Sequence, residues 1–314
     1  MIPDAALAGA PPEYALPATR PTLAEAQSWC RALASSHYEN FHVATWFLPK
    51  RIRPYFESIY AFSRVADDLG DEVSDPVTAT RLLGEWRQML YECYAAPGDS
   101  HHPVFVALAQ TIMETSAPRG LFDDLIRAFQ QDQTKTHFAS LAELEDYSRL
   151  SANPVGRLVL WVSGYKDDAR ARLSDKVCTA LQLANFWQDV VEDFDRGRRY
   201  LPADAMQRFG VTDDDLGERR CTPAFRAMMA YLVEYTRAML ADGAKIAGTV
   251  DRDLAVTLRL FSQGGEAALA GVVAQDYDVL AKRPSVGKAT KAMLLARALG
   301  GKALTLLPGG SQPR

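Results

Sequence analysis

From Thr22 onward apolar residues recur at three- and four-residue spacing, and runs of alternating β-branched residues are absent. That pattern has the period of amphipathic helices and predicts an all-α protein. It places helices over 22–36, 51–67 running on towards 71, 76–95, 103–116, 118–131, 140–149, 153–163, 168–193, 202–207, 222–247, 251–281 and 285–300. Turn formers punctuate it at Pro97-Gly98-Asp99, Pro118, Gly164 and Gly197, and Thr222-Pro223 has the form of an N-cap followed by an N1 proline. The first 21 residues carry five prolines and no helical period, which predicts an irregular arm. Residues 22–300 then form one helical domain, and 301–314, ending LPGGSQPR, a frayed tail.

Composition narrows the class without changing it. Of 314 residues, 48% are hydrophobic and 24% charged, enough apolar material for a sizeable core. The formal net charge of −4 gives no broad reason to expect nucleic-acid binding. Cys30, Cys93, Cys178 and Cys221 lie far apart with no ligand spacing and read as reduced thiols of a cytoplasmic protein. The N-terminus has neither the basic nor the continuous apolar region of a signal peptide, and no stretch has the ~18 apolar residues of a spanning helix.

Within this helical pattern two acidic blocks stand out: Asp67, Asp68, Asp71 and Glu72 in SRVADDLGDE, and Asp189, Glu192 and Asp193 in QLANFWQDVVEDFDRGRRYLP. Each repeats a DxxxD spacing, and residues four apart share one helix face. Like charges so placed destabilise an isolated helix by roughly 0.2–0.5 kcal/mol per pair. Either block alone would pass for a solvated helix end; two of them amid apolar residues point to hard-metal binding. Mg²⁺ takes oxygen ligands, usually one or two carboxylates together with substrate phosphates. Asn185 projects from the face of Asp189 and offers a further oxygen, with Gln182 about one turn earlier; a satisfied interior amide is the alternative for either. Arg64 either neutralises the first block or contacts phosphate, and Arg196, Arg198 and Arg199 follow the second block on a loop where an anion would be met. Such a set could hold a diphosphate and stabilise its departure from carbon.

Other chemistries lack their signatures. His37, His42, His101, His102 and His137 show no zinc spacing, and there is no GxSxG elbow, P-loop or GxGxxG fingerprint. The aromatics Phe41, Trp46, Phe47, Tyr60, Phe62, Trp161, Phe186, Trp187 and Tyr277 fit a core, some of them lining a long apolar tunnel.

From about Trp29 to Val286 the chain resembles the squalene/phytoene synthase family. The likeness rests on YAFSRVADDLGDE at 60–72, QLANFWQDVVEDFDRGRRYLP at 182–202 and YDVLAKRPSV at 277–286, in that order. It implies an all-α isoprenoid (terpenoid) synthase fold with the two aspartate helices on opposite walls of a central cavity. By matching positions it implies that Asp67, Asp71, Asn185, Asp189 and Asp193 handle Mg²⁺. Tyr60, Arg64, Arg198, Tyr200 and Tyr277 would surround the diphosphate, and Phe41 would face the prenyl chain. Asp132 and Tyr147 match positions near the cavity, Tyr147 one associated with the cation-forming half of the reaction.

The chain departs from the general family pattern in ways that narrow the implied reaction. It carries Leu150-Ser151-Ala152-Asn153-Pro154-Val155-Gly156 in place of a YVAG-like stretch, Asn40-Phe41 in place of Ser-Phe, and Gln188 in place of an arginine before Asp189. This combination resembles the hydroxysqualene synthase subgroup of hopanoid biosynthesis. The implied reaction takes presqualene diphosphate and water to hydroxysqualene and diphosphate with no NADPH. Ser151 and Asn153 would position the water, and Gln188 would suit one diphosphate rather than two. Because substrate and product are C30 chains, hand-over from other squalene-pathway enzymes and peripheral contact with the inner face of the membrane are expected. The rival reactions are condensation of two prenyl diphosphates to squalene, presqualene diphosphate or phytoene. A remote rival is a non-catalytic assembly factor, which would be expected to have lost one or more of the four DxxxD aspartates.

Overall fold

The computed structural model describes residues 7–36, 48–287, 290, 292–294 and 296. Among them the chain forms thirteen α-helices up to Ala274 and two short 3₁₀ turns, Pro12–Tyr14 and Ala244–Gly248. There is no strand among them, only an isolated bridge between His137 and Arg199. The chain folds into two compact units, one holding residues 50–136 and 145–171 with the N-terminal part, the other 137–144 and the chain from Arg172 on.

The first unit is built on helices α1 (Leu23–Ser36), α2 (Arg53–Asp71), α3 (Pro76–Ala95), α4 (Pro103–Thr115) and α5 (Arg119–Asp132). They meet at an aromatic knot of Phe62, Trp86, Phe105 and Phe122, one residue from each of α2 to α5 and all 0% exposed. Phe62 stacks on Trp86 at 5.7 Å and meets Phe122 edge-on at 5.1 Å, while Trp86 lies 4.5 Å from Phe105. Such rings bury large apolar areas and add roughly 0.5–1.5 kcal/mol per pair beyond burial. Helix starts follow capping chemistry: the Asp75 carboxylate accepts the Thr78 N–H, and His102 Nδ1 accepts the Val104 N–H. Then come α6 (Leu141–Ser151) and α7 (Asn153–Val162), separated only by Ala152.

The second unit carries α8 (Asp168–Gln188), α9 (Val190–Asp195), α10 (Ala203–Phe209), α11 (Asp213–Gly217), α12 (Pro223–Gly243) and α13 (Arg252–Ala274). Its core joins Trp187, whose indole N–H donates to Thr236 at 2.8 Å, with Phe225, Met228, Met229, Leu232 and Leu269. Thr222 caps α12 as its sequence implies, accepting the Phe225 N–H.

Four features differ from the sequence pattern. The expected 168–193 helix breaks at Asp189 (φ −100°, ψ 14°), which caps α9. Asp213–Gly217 is a helix, started by a capping box between Thr212 and Asp215. The last long helix stops at Ala274 rather than 281, because Asp276 and Tyr277 take left-handed backbone angles (φ 51° and 62°). Residues 285–287 are not helical, although the described positions from 290 on are.

Candidate active site

The apolar stripe of α2, Phe62, Val65, Ala66 and Leu69, is fully buried, so the helix must turn its other side outward. Arg64, Asp67 and Asp71 lie on that side. Asp67, 40% exposed at the side chain, has its carboxyl pushed up to about 7. Lost hydration is the main cause, and the charge of Asp71 four residues on adds to it. Arg64, 3.2 Å away, pulls the other way. Asp132, at the end of α5, belongs to the same field and also raises Asp67. A donor on the next residue fastens this end of α5 to α2: the Gln133 amide reaches the Gly70 carbonyl at 2.9 Å. The Tyr147 hydroxyl from α6 donates to Asp132 at 2.8 Å. The first unit therefore gathers Asp67, Asp71, Asp132 and Tyr147, with Tyr60 half-buried on α2. Ser151 donates to the Tyr147 carbonyl at 3.2 Å, and Asn153 is buried at the start of α7.

In the second unit Asn185 is exposed on α8, with Gln182 half-buried one turn earlier. Although the backbone bends at Asp189, the helical hydrogen bonds run through it: Asp189 N–H to Asn185 at 2.9 Å and Asp193 N–H to Asp189 at 2.8 Å. Asp189 and Asp193 thus remain a pair, and burial together with the charge of Asp189 pushes Asp193 up to about 7. Gly197 then takes φ 76°, a conformation that favours glycine, and the Arg198 N–H folds back onto the Asp193 carbonyl at 2.8 Å. That turn brings the Arg198 and Arg196 charges to bear on Asp193, which they lower. Tyr200 is clamped between Phe186, stacked at 3.9 Å, and Phe138 at 5.4 Å. Tyr277 sits half-buried in the left-handed turn after α13.

Gln188 is buried and its amide donates to the Pro284 carbonyl at 3.0 Å, so it ties α8 to the late YDVLAKRPSV stretch. Phe41 lies outside the described residues. One residue escaped the sequence reading: Arg283 pairs with Asp189 and stands 3.6 Å from Glu192. The cation that matches the second block comes from 94 residues away, and its only signal was its place in AKRPSV.

Among the described residues no three His, Cys, Asp or Glu side chains converge as a ready metal cage. The donors present, carboxylates and an amide oxygen, are nonetheless all hard. Each pair contains one carboxyl raised to about 7 in part because its partner's charge is close, and a cation would relieve that crowding. Sites of this kind suit Mg²⁺, which completes its shell with water and phosphate oxygens.

Residues 34–290 match the family model for squalene/phytoene synthase. The chain belongs to the squalene/phytoene synthase family. It is 33% identical to a hydroxysqualene synthase of Rhodopseudomonas palustris over 68% of this chain and 71% of that protein. It is 27% identical to the chloroplastic phytoene synthase of Cucumis melo over 92% of this chain and 70% of that one. Among solved structures, squalene synthase HpnC from Alicyclobacillus acidocaldarius superposes with a TM-score of 0.77 at 42% identity, over 81% of this chain and 95% of the other. The all-α terpenoid synthase fold is therefore shared. Members of the squalene/phytoene synthase family are enzymes that process prenyl diphosphates.

Proposed function

We propose that the chain is a hydroxysqualene synthase, converting presqualene diphosphate and water to hydroxysqualene and diphosphate. The observation that carries this reading is the 33% and 31% identity to two hydroxysqualene synthases, over 68% and 73% of this chain. Phytoene synthases are 26–31% identical and keep condensation as the rival reaction.

Asp67 and Asp71 in the first unit, and Asn185, Asp189 and Asp193 in the second, would supply oxygen ligands for Mg²⁺, which when bound would act as a Lewis acid on the diphosphate oxygens. Arg64 and Arg198 contribute positive charge where the leaving group gains negative charge, and Tyr60, Tyr200 and Tyr277 offer hydroxyls to it. The carbon–oxygen bond breaks with its electron pair going to diphosphate, and the cyclopropylcarbinyl cation rearranges to an open C30 cation. The hydroxyl of Tyr147, which donates to Asp132, would serve the cation-forming half of the reaction. Ser151 and Asn153 orient a water, whose oxygen forms the new bond and which gives up one proton. No hydride is consumed, so NADPH is not required. Handling C30 chains favours peripheral contact with a membrane and hand-over from the enzyme that makes presqualene diphosphate. No described helix is long and apolar enough to cross a bilayer.

A second reading, condensation of two farnesyl or geranylgeranyl diphosphates, has the phytoene synthase likeness in its favour. Product analysis with each substrate separates the two. Within the first reading, Asn153→Ala and Ser151→Ala should lower the ratio of hydroxylated to other C30 products; an unchanged ratio would remove the water-positioning role.

A further inference from the structure

The segment from Leu7 to Ala15 precedes the family match, which begins at residue 34, yet it is packed against the first unit. Leu7 is 4% exposed, its N–H donates to Glu85 at 2.7 Å, and Arg81 donates to the Ala8 carbonyl. Pro11 and Pro12 then start the short turn that drives Tyr14 inward to 0% exposure. There its ring meets Trp29 edge-on at 6.5 Å. Its hydroxyl donates to Oδ2 of Asp68.

Asp68 stands next to Asp67 but on the buried face of α2, 1% exposed. A carboxylate so placed is costly unless its oxygens are matched. Arg64 grips it with two prongs, Nε to Oδ2 at 3.0 Å and Nη2 to Oδ1. Only Nη1 is left toward Asp67, at 3.2 Å, while Glu72 lies 3.7 Å from Nη2. The guanidinium is therefore divided unequally between adjacent aspartates. The buried one, fixed by Tyr14, holds the better share. If Asp68 loses that fixed orientation, the fork is free to swing onto Asp67, where it competes with any cation.

We propose that the N-terminal arm is a positioning element of the first carboxylate pair: Tyr14, acting through Asp68, limits Arg64 to a single prong on Asp67 and leaves the other Asp67 oxygen for a divalent cation. The proposal rests on the reading of Asp67 and Asp71 as Mg²⁺ ligands. Tyr14→Phe keeps the ring against Trp29 and removes only the hydroxyl.

The test titrates MgCl₂ into the full-length protein with inorganic diphosphate at fixed concentration, and reads the Mg²⁺ needed for half of the thermal shift. Tyr14→Phe is expected to need about tenfold more Mg²⁺, the low end of what partners of metal ligands contribute. In turnover at saturating Mg²⁺ its kcat should stay near that of the unaltered enzyme. Glu85→Ala, which loosens the arm at Leu7 but leaves the tyrosine hydroxyl, should leave the Mg²⁺ requirement unchanged. Adding Tyr14→Phe to Arg64→Gln should produce no further shift, since the competing cation is gone. Should Tyr14→Phe not accumulate as folded protein, Asp68→Asn carries the same expectation. An unchanged Mg²⁺ requirement in Tyr14→Phe, or an equal rise in Glu85→Ala, overturns the inference. Asp67→Asn separates the two levels. If it abolishes the Mg²⁺ response while Tyr14→Phe does nothing, only the inference falls; if Asp67→Asn also leaves the response intact, the ligand assignment falls with it.

Discussion

Asp67 and Asp68 are neighbours with opposite duties, and substitution should separate them. Asp67→Asn removes a crowded charge from the outward side of α2, so its melting temperature should equal or exceed that of the unaltered protein. Its kcat/KM should nevertheless fall by about 10²-fold or more, since metal-assisted charge stabilisation is worth several kcal/mol. Asp68→Asn should destabilise by about 2 kcal/mol, because a buried group tied to Arg64 and Tyr14 loses its charge. Urea denaturation and steady-state kinetics on the two variants check this. A third residue sets a pH limit. His102, wholly enclosed beside Trp86, has its imidazole pushed down to about 3 by burial. Its unfolded value is about 6.5, so between pH 6.5 and 3 the unfolded chain binds a proton that the folded one refuses. Its share of stability is thus complete above pH 6.5 and is lost as pH falls, by about 1.4 kcal/mol per unit. Urea midpoints at pH 7 and pH 5 should show the unaltered protein losing about 2 kcal/mol more than His102→Asn, which keeps an N-cap.

At the scale of the helices, two glycines make opposite predictions. Gly84 lies inside α3 with nothing near its missing Cβ, so Gly84→Ala should stabilise by about 1 kcal/mol through helix propensity alone. At Gly243 an added Cβ would sit 2.8 Å from the Val177 backbone nitrogen, which cannot move aside. Gly243→Ala should therefore destabilise by about 1–3 kcal/mol through overpacking. Thermal denaturation of both variants is the measurement. The long helices were legible because their buried stripes are periodic over many turns, as in α2, α3 and α12. The break at Asp189 was not, since the helical hydrogen bonds continue through it. Nor was the stop at Ala274, after which the backbone reverses its handedness at Asp276. The start of α11 could have been found, because Thr212 and Asp215 have capping-box spacing. Tyr14 illustrates the limit of motif reading. A proline-rich arm with no period reads as irregular, and only the fold shows that one of its side chains reaches an aspartate 54 residues on.

For the molecule as a whole, class and family were legible from three short stretches, and the similarity to known relatives bears them out. The reaction within the family was less so. The length of prenyl chain accepted and the fate of the cation are set by tertiary packing, which no local pattern encodes. The sequence offers only a few polar replacements for it, Ser151, Asn153 and Gln188, and Gln188 is engaged with Pro284. The central claim is tested most directly by giving the purified protein presqualene diphosphate with Mg²⁺ and no NADPH. The account predicts hydroxysqualene and one equivalent of diphosphate. A protein inert toward presqualene diphosphate, but active in condensing two prenyl diphosphates, would contradict it.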